Sequence, residues 1–192
     1  MQQDALYMNH LRQEIRGSLS PGDDIVMTGS AGNFGAWKLL KENEAEARAY
    51  FRNQFVDKAL EVLNPAQIQT SINVNVEKTE ALHSLITCAA DIGRTGIFGA
   101  LWKTAEASGA GLRIDVLRIP VNQYAVEICE LFEQNLYRMD SAGDLLFGSN
   151  QGQMLVRLLA EQGVKATVIG YASEGRERLI CNRDRIRYLE RP

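Results

Sequence analysis

A short turn between an apolar run and an amphipathic helix holds the residues best placed to do chemistry. These residues are Asp91, Gly93, Arg94, Thr95 and Gly96. A strand, a glycine turn and a helix start together aim backbone N–H groups and the positive end of the helix dipole at whatever lies above the turn. An arginine beside such N–H groups suits a phosphate or carboxylate, although it can equally be a surface residue with no role. We expect Asp91 to cap this central turn or to pair with Arg94 rather than to act as a catalytic base.

The helix that follows the central turn has apolar residues at helical spacing and a distinct signal for its C-terminal end. Ser108-Gly109 ends the pattern, since glycine readily adopts the left-handed conformation found just past a helix. The apolar run before the turn predicts a strand that ends at Asp91. The apolar helix positions are Ile97, Phe98, Leu101, Trp102 and Ala105.

A second glycine-rich turn, Gly29–Gly35, joins a predicted strand at 24–28 to a helical run at 36–40. Gly29, Gly32 and Gly35 could let backbone N–H groups bind a phosphate. No Lys-Ser/Thr pair follows the last glycine, so this is not a Walker A loop, and the spacing differs from a dinucleotide fingerprint. We interpret these glycines first as positions of tight strand–helix packing and second as an anion site.

Composition and charge exclude several classes of function. The chain has 192 residues, enough for one domain with a sizeable core, and its net charge of −3 argues against nucleic acid as a partner. No run reaches the roughly 18 apolar residues of a membrane span, and the start lacks signal-peptide features. We therefore expect a cytoplasmic protein without a membrane partner.

Three cysteines and two histidines are too few and too widely spaced for a recognisable metal site. Two of the cysteines Cys88, Cys129 and Cys181 lie in apolar surroundings, so buried structural thiols are expected. The sequence therefore predicts neither a zinc site nor a disulfide framework.

The remaining pattern alternates strands and helices and predicts an α/β (α+β) fold, a mixed sheet layered with helices. A helical stripe is expected to end at Gly17, and one long helix is expected at 44–63. Further helices are expected at 77–86, at 122–133 with Asn122 as N-cap, and at 152–162 with Met154 facing inward. Strands are expected at 71–76, 112–116, 144–148 and 166–170, with a terminal pair at 179–181 and 186–189.

The central segment resembles the C-terminal domain of the aminoimidazole-ribonucleotide (AIR) synthase superfamily, in its hydrogenase-maturation-like branch. The residues that carry the resemblance are Asp91 to Gly111, Ile114-Asp115, Arg118 to Val121 and Val126 to Phe132. The resemblance implies a helical extension at 1–20 followed by the family domain at 21–192. It also implies a place among ATP-dependent enzymes whose N-terminal domain holds most of the nucleotide and Mg²⁺ site, while the C-terminal turn lines the active site.

The central turn departs from the family pattern, which usually reads His-Asp-Val-Thr-Glu-Gly-Gly. Asp91 and Gly96 match that pattern, but Arg94 stands where the family has glutamate. A permanently cationic guanidinium cannot act as a base or bind a metal ion. The other exchanges are Ala90 for His, Gly93 for Thr and Thr95 for the first Gly.

Ser141-Ala142-Gly143 resembles the Ser-Ser-Gly that precedes an apolar strand in the family. The resemblance adds Ser141 and Gly143 to the candidate positions for an anion or a nucleotide phosphate. The complete candidate set for such a ligand is Gly29, Gly32, Gly35, Ser141 and Gly143.

The resemblance and its departures predict a stand-alone, degenerate family domain that is not catalytic alone and acts through protein association. Nothing before Pro21 is long enough to be the N-terminal domain. The expected partner is a second copy, forming a homodimer, or a full-length or N-terminal-half relative. ATP and Mg²⁺ are expected only if such a partner supplies the N-terminal domain. The alternatives are the C-terminal half of a split ATP-dependent synthase and a small-anion or nucleotide sensor.

Overall fold

A computed structural model of the protein describes residues 15–66 and 80–192. Within these residues the chain forms eight strands and seven α-helices. The strands are β1 (Ile15–Gly17), β2 (Asp24–Thr28), β3 (Ile86–Gly93), β4 (Gly111–Asp115), β5 (Ser141–Ser149), β6 (Ala166–Ser173), β7 (Arg178–Asn182) and β8 (Arg185–Tyr188). The helices are α1 (Asn33–Glu42), α2 (Glu44–Tyr50), α3 (Asn53–Val62), α4 (Glu80–Leu85), α5 (Gly96–Ser108), α6 (Gln123–Leu131) and α7 (Gly152–Glu161).

All eight strands belong to one sheet in the order β1-β3-β5-β2-β6-β4-β7-β8. Neighbouring strands run antiparallel except β4 and β7, which pair in parallel. The mixed sheet with helices packed on it confirms the predicted fold class.

The two faces of the sheet bury different helices because successive strand residues point to opposite sides. Ile25 and Met27 of β2 belong to a core that contains the residues of α5, whereas Val26 between them packs with α4 and α7. Residues of α1, α3 and α6 form two smaller apolar clusters of their own, one of which also includes α2.

Helix α5 is the central helix and matches its sequence signals. Nine of its thirteen residues are buried, as expected of a helix packed against both a sheet and its neighbours. It ends at Gly109, whose φ of 67° places it in the left-handed region. The predicted order of strand, turn and helix is confirmed, with β3 extending two residues past Asp91 to Gly93.

Two helix predictions are wrong. The stripe expected to end at Gly17 is a strand where the structure describes it: Ile15–Gly17 is β1, and Ile15 pairs with Ala90 of β3. The edge of β3 offers backbone partners to this segment, which the helical period could not reveal. The rest of the stripe, residues 1–14, lies outside the described residues.

The long helix expected at 44–63 is broken into α2 and α3. Phe51 and Arg52 are extended, with ψ of 160° and 143°. The break lets the Phe51 ring stack on Phe55 with centroids 4.4 Å apart. Arg48 then bridges the corner, with its guanidinium 2.8 Å from Glu44 and 2.7 Å from Asp57.

Several smaller expectations have clear outcomes. The Asn122 side chain accepts a hydrogen bond from the Tyr124 N–H at 2.9 Å and caps α6 as predicted. Met154 was expected to face inward on α7 but is 42% exposed. The terminal strand pair is confirmed as β7 and β8. The strand expected at 71–76 lies outside the described residues, and the helix expected at 77–86 is described from Glu80 as α4.

Cys88 and Cys129 are buried, as predicted. Burial raises the pKa of the Cys88 thiol to about 12 and that of Cys129 to about 11, so both are unreactive thiols at neutral pH. Across residues 15–66 and 80–192, no helix has the length and apolar character needed to cross a membrane.

Candidate functional site

The central turn lies between the end of β3 and the start of α5. Gly96, the first residue of α5, has a φ of 64°, and a Cβ atom there would lie 2.5 Å from the Tyr137 carbonyl oxygen. The loop before β5 therefore packs directly on the backbone of the turn, and only glycine fits at this position.

A cavity of about 480 Å³ borders the central turn and the first half of α5. Asp91, Arg94 and Thr95 of the turn line it together with Lys103 and Thr104 of α5. Thr104 is only 2% exposed, and its hydroxyl has no hydrogen-bond partner within the part of the chain that the structure describes. The remaining lining residues are Ile15, Ala90, Ile92, Gly93 and Ala100. Two cations with a free hydroxyl can bind a carboxylate or phosphate group.

Asp144 is a buried carboxyl beside these turns that sequence reasoning did not select. It is 5% exposed and accepts a hydrogen bond from the Ser30 N–H. Burial, with a smaller contribution from the Asp91 carboxylate, raises the pKa of Asp144 to about 7. The only sequence signal was a charged residue at the start of the apolar run of β5.

The glycine-rich turn Gly29–Gly35 precedes the central turn in the chain and is called here the first glycine turn. Its backbone N–H groups donate hydrogen bonds to other parts of the protein. The Gly29 N–H donates to the Lys165 carbonyl at 3.0 Å, and the Gly32 N–H donates to the Ser141 hydroxyl at 2.8 Å. The Gly35 N–H donates to the Asp140 carbonyl at 2.8 Å. The interpretation of these glycines as packing positions agrees with this geometry, because an external anion would compete with acceptors already in place.

The fold brings the two turns and the start of β5 together. Gly93 pairs with Ser141 across β3 and β5, and Ser141 in turn accepts the Gly32 N–H. A Cβ atom on Gly35 would lie 2.7 Å from the Asp140 backbone nitrogen, so α1 packs on the chain just before β5. Ser141 and Gly143, expected to precede a strand, are buried residues within β5 itself.

The donor set does not fit a magnesium ion by itself. The carboxyls beside the central turn are Asp91 and Asp144, and Arg94 and Lys103 line the same cavity as Asp91. Mg²⁺ is bound by oxygen ligands that include carboxylates and substrate phosphates, and nearby cations oppose it. Among the described residues, no group of three or more His, Cys, Asp or Glu could hold a metal ion.

A mixed sheet layered with helices, with a glycine turn at the start of a central helix, places the chain among α/β domains. The sequence profile of the AIR synthase related protein, C-terminal domain, matches residues 20–182. The chain belongs to this family, as its residues had indicated.

Solved structures with the same fold include hydrogenase maturation proteins and a kinase. Escherichia coli HypE, a hydrogenase maturation protein, superposes with a TM-score of 0.68 at 18% identity over 92% of this chain and 52% of that chain. A HypE–HypF complex gives 0.64 at 16% identity over 92% and 55%. Thiamine monophosphate kinase from Aquifex aeolicus gives 0.59 at 18% identity over 92% and 54%. This chain therefore spans about half the length of the solved structures that it resembles.

A comparison with functionally curated proteins finds no match.

Proposed function

We propose that this chain does not turn over ATP by itself and acts through association with a second protein. The partner is another copy of the chain or a relative that supplies an ATP-binding N-terminal domain. ATP and Mg²⁺ enter only with such a partner. In this proposal the domain is a degenerate member of its family, retained for its scaffold.

The observation that carries this proposal is the charge at the central turn. Arg94 stands at the position where the resemblance places the family's glutamate, and Arg94 and Lys103 line the same cavity. Phosphoryl transfer depends on positioning and on metal ions that neutralise the developing charge. In this proposal, Arg94 and Lys103, which line the cavity together with Asp91, take the place of an acidic group that would orient such an ion.

Association is supported by one relative and by the surface. A HypE–HypF complex is among the solved structures with this fold, so a relative binds another protein. On the chain itself, several large apolar side chains are exposed, including Ile186 and Tyr188. Exposed apolar patches often mark protein interaction sites.

Two measurements on the purified 192-residue chain test the proposal. We expect light scattering to give the mass of an oligomer, or of a complex when an N-terminal-half relative is added. We expect no phosphate release from ATP and Mg²⁺ by the chain alone. A monomer that hydrolyses ATP in a magnesium-dependent way would overturn the proposal.

A second candidate function is the binding of a small anion in the cavity beside the central turn. The Thr104 hydroxyl, which is buried and has no hydrogen-bond partner among residues 15–66 and 80–192, specifically favours it, because a bound oxyanion would satisfy that group. Calorimetric titration with inorganic phosphate tests it. Arg94→Ala and Lys103→Ala should each weaken binding, whereas Arg118→Ala, an exposed arginine outside the cavity lining, should not. Absence of heat with the unmodified chain would rule out phosphate as the ligand.

A further inference from the structure

One half of one sheet face is exposed and carries a continuous cross-strand row of side chains. Tyr171 of β6 pairs with Arg113 of β4, Arg113 pairs with Leu179 of β7, and Leu179 pairs with Tyr188 of β8. Directly paired residues point to the same face of a sheet, so these four side chains form one row.

A second row runs beside the first on the same face. Asp115 of β4 pairs with Cys181 of β7, and Cys181 pairs with Ile186 of β8. Asp115 lies two residues after Arg113, and residues two apart along a strand share a face. The two rows together define a surface, called here the open half-face: Arg113, Asp115, Tyr171, Leu179, Cys181, Ile186 and Tyr188.

On β4 and β7, the other side of the sheet packs into the core. Leu112 and Ile114 of β4 and Ile180 of β7 are at most 2% exposed and belong to the core that contains α5. Strand alternation therefore leaves the open half-face as the side that α5 does not cover.

The rest of this side of the sheet is covered by α4 and α7. Their buried leucines Leu82, Leu85, Leu155 and Leu159 pack on Val26, Phe147 and Val168. As far as the structure describes the chain, that core includes no residue of β4, β7 or β8. The helical layer thus covers one half of this side and leaves the other half open.

The open half-face is apolar where a solvated sheet face is ordinarily polar. Tyr188 is 66% exposed, Ile186 52% and Tyr171 46%. These side chains lie on three different strands and, with half-buried Leu179 between them, form one patch rather than scattered single residues.

We propose that a second copy of this chain packs face to face on the open half-face. The charge pattern favours this occupant, because Arg113 and Asp115 carry opposite charges on the same strand and the same face. In a two-fold interface every contact between two different residues occurs twice, and in this proposal Arg113 of each copy lies opposite Asp115 of its partner. The apolar side chains on β6, β7 and β8 then surround two ion pairs.

The orientation of Asp115 suits this pairing. One of its carboxylate oxygens accepts the Leu117 N–H at 3.0 Å, which holds the side chain in place and leaves the second oxygen for a partner. Tyr188 donates its hydroxyl to Glu177 at 3.0 Å, giving the patch a polar border. An apolar centre with a polar border is the usual anatomy of a protein interface.

This inference rests on the proposed function, since it names the surface and the partner of an association. Sedimentation of the full chain gives the first readout. We expect a dimer for the unmodified chain and for Tyr50→Glu, which alters a tyrosine that is 71% exposed on α2 and far along the chain from the open half-face. We expect Ile186→Glu to weaken the dimer roughly 100-fold, because each copy would bury an unpaired charge.

Charge exchange gives the decisive readout. Arg113→Asp and Asp115→Arg should each give monomers, since like charges then face each other across the two-fold axis. An equimolar mixture of the two variants should form a heterodimer, and the double exchange in one chain should restore the homodimer. Both variants carry exposed or half-buried changes, and circular dichroism checks that they remain folded.

Each negative result would contradict a different part of the proposal. A dimer that survives both Ile186→Glu and Arg113→Asp would overturn the open half-face as the interface and leave association itself intact. A chain that stays monomeric up to high concentration would overturn the second copy as the occupant. If that monomer also failed to bind an N-terminal-half relative, the proposed function would fall with it.

Discussion

The central turn and the first glycine turn share one local pattern and meet different surroundings. Each follows a strand, contains glycines at positive φ and leads into a helix. The first glycine turn is closed by acceptors from distant parts of the chain, among them Ser141 and Lys165. The central turn instead borders a cavity lined by Arg94 and Lys103. One sequence pattern thus serves packing in one place and access to solvent in the other.

The difference follows from what packs above each turn. Asp144 fills the space over Gly29, where a Cβ atom would lie 1.8 Å from its carboxylate oxygen. Over Gly93, the nearest atom to such a Cβ in the described chain, apart from its chain neighbours, is 3.9 Å away in the side chain of Asp91. Substitutions at the two turns should therefore change the stability of the protein by different amounts, and four substitutions test this comparison.

The largest effect is expected for Gly29→Ala. Overpacking against Asp144 and a non-glycine residue at a φ of 65° should together lower the free energy of unfolding by about 3 to 4 kcal/mol. Urea denaturation measures this change. Gly109→Ala is the matched control, because its φ is 67° but, among the described residues other than its chain neighbours, no atom lies within 4 Å of the added Cβ. Equal losses for the two variants would show that Asp144 does not close the first turn.

The next effect is a pH dependence from Asp144. Its pKa is about 7 in the folded chain against 3.8 as the ordinary value, so between these pH values the folded state holds a proton that the unfolded state has lost. The stability from this group is therefore complete below about pH 4 and is lost as the pH rises to about 7, a change on the order of 3 kcal/mol.

Asp144→Asn should remove this slope. Urea denaturation from pH 4 to pH 8 measures the free energy of unfolding of the variant and of the unmodified chain. As the pH rises, the variant should become more stable relative to the unmodified chain. Asp184→Asn, an exposed aspartate, should leave the slope unchanged. Parallel pH curves for Asp144→Asn and the unmodified chain would mean that Asp144 ionises normally.

Ser141→Ala should cost about 1 to 3 kcal/mol, because the buried N–H of Gly32 loses its acceptor. Thermal or urea unfolding detects this loss. Ser18→Ala, at an exposed serine, should change stability by less than about 0.5 kcal/mol. A neutral Ser141→Ala would indicate that water can replace the hydroxyl and that the first turn is more open than its contacts suggest.

The smallest effect is expected for Gly93→Ala in the central turn. Its φ is 54°, so alanine should cost about 1 kcal/mol from backbone strain alone, without a steric clash. Comparison with Gly29→Ala under identical conditions sharpens the contrast between the turns. A loss as large as that of Gly29→Ala would contradict the open surroundings of the central turn.

The elements that sequence reasoning predicted well depend on nearby residues. The strand, turn and helix from Ile86 to Gly109 follow from apolar spacing and a terminal glycine, and the Asn122 cap follows from a side chain that reaches two residues ahead. The break at Phe51 was missed because its cause, the contacts of Phe55 and Asp57 with the preceding helix, exists only once the corner has formed.

The candidate site was only partly predictable for the same reason. The sequence singled out both turns and Ser141, and the structure brings them together through the pairing of Gly93 with Ser141. The sequence gave no means of finding Thr104 or Asp144, because the importance of these two residues comes from their burial. A threonine in a helix and an aspartate beside a glycine are ordinary until the surrounding chain removes them from water.

The sequence by itself determined the family, the fold class and the strand–turn–helix at the centre of the domain, because these are written in motifs and short-range periodicity. Tertiary structure alone decided which glycine turn is closed and which borders a cavity. The hydroxyl that accepts the Gly32 N–H lies 109 residues further along the chain, and no local pattern encodes a contact over that distance. The pKa of Asp144 and the half of the sheet left uncovered have the same origin, since both depend on which elements pack together.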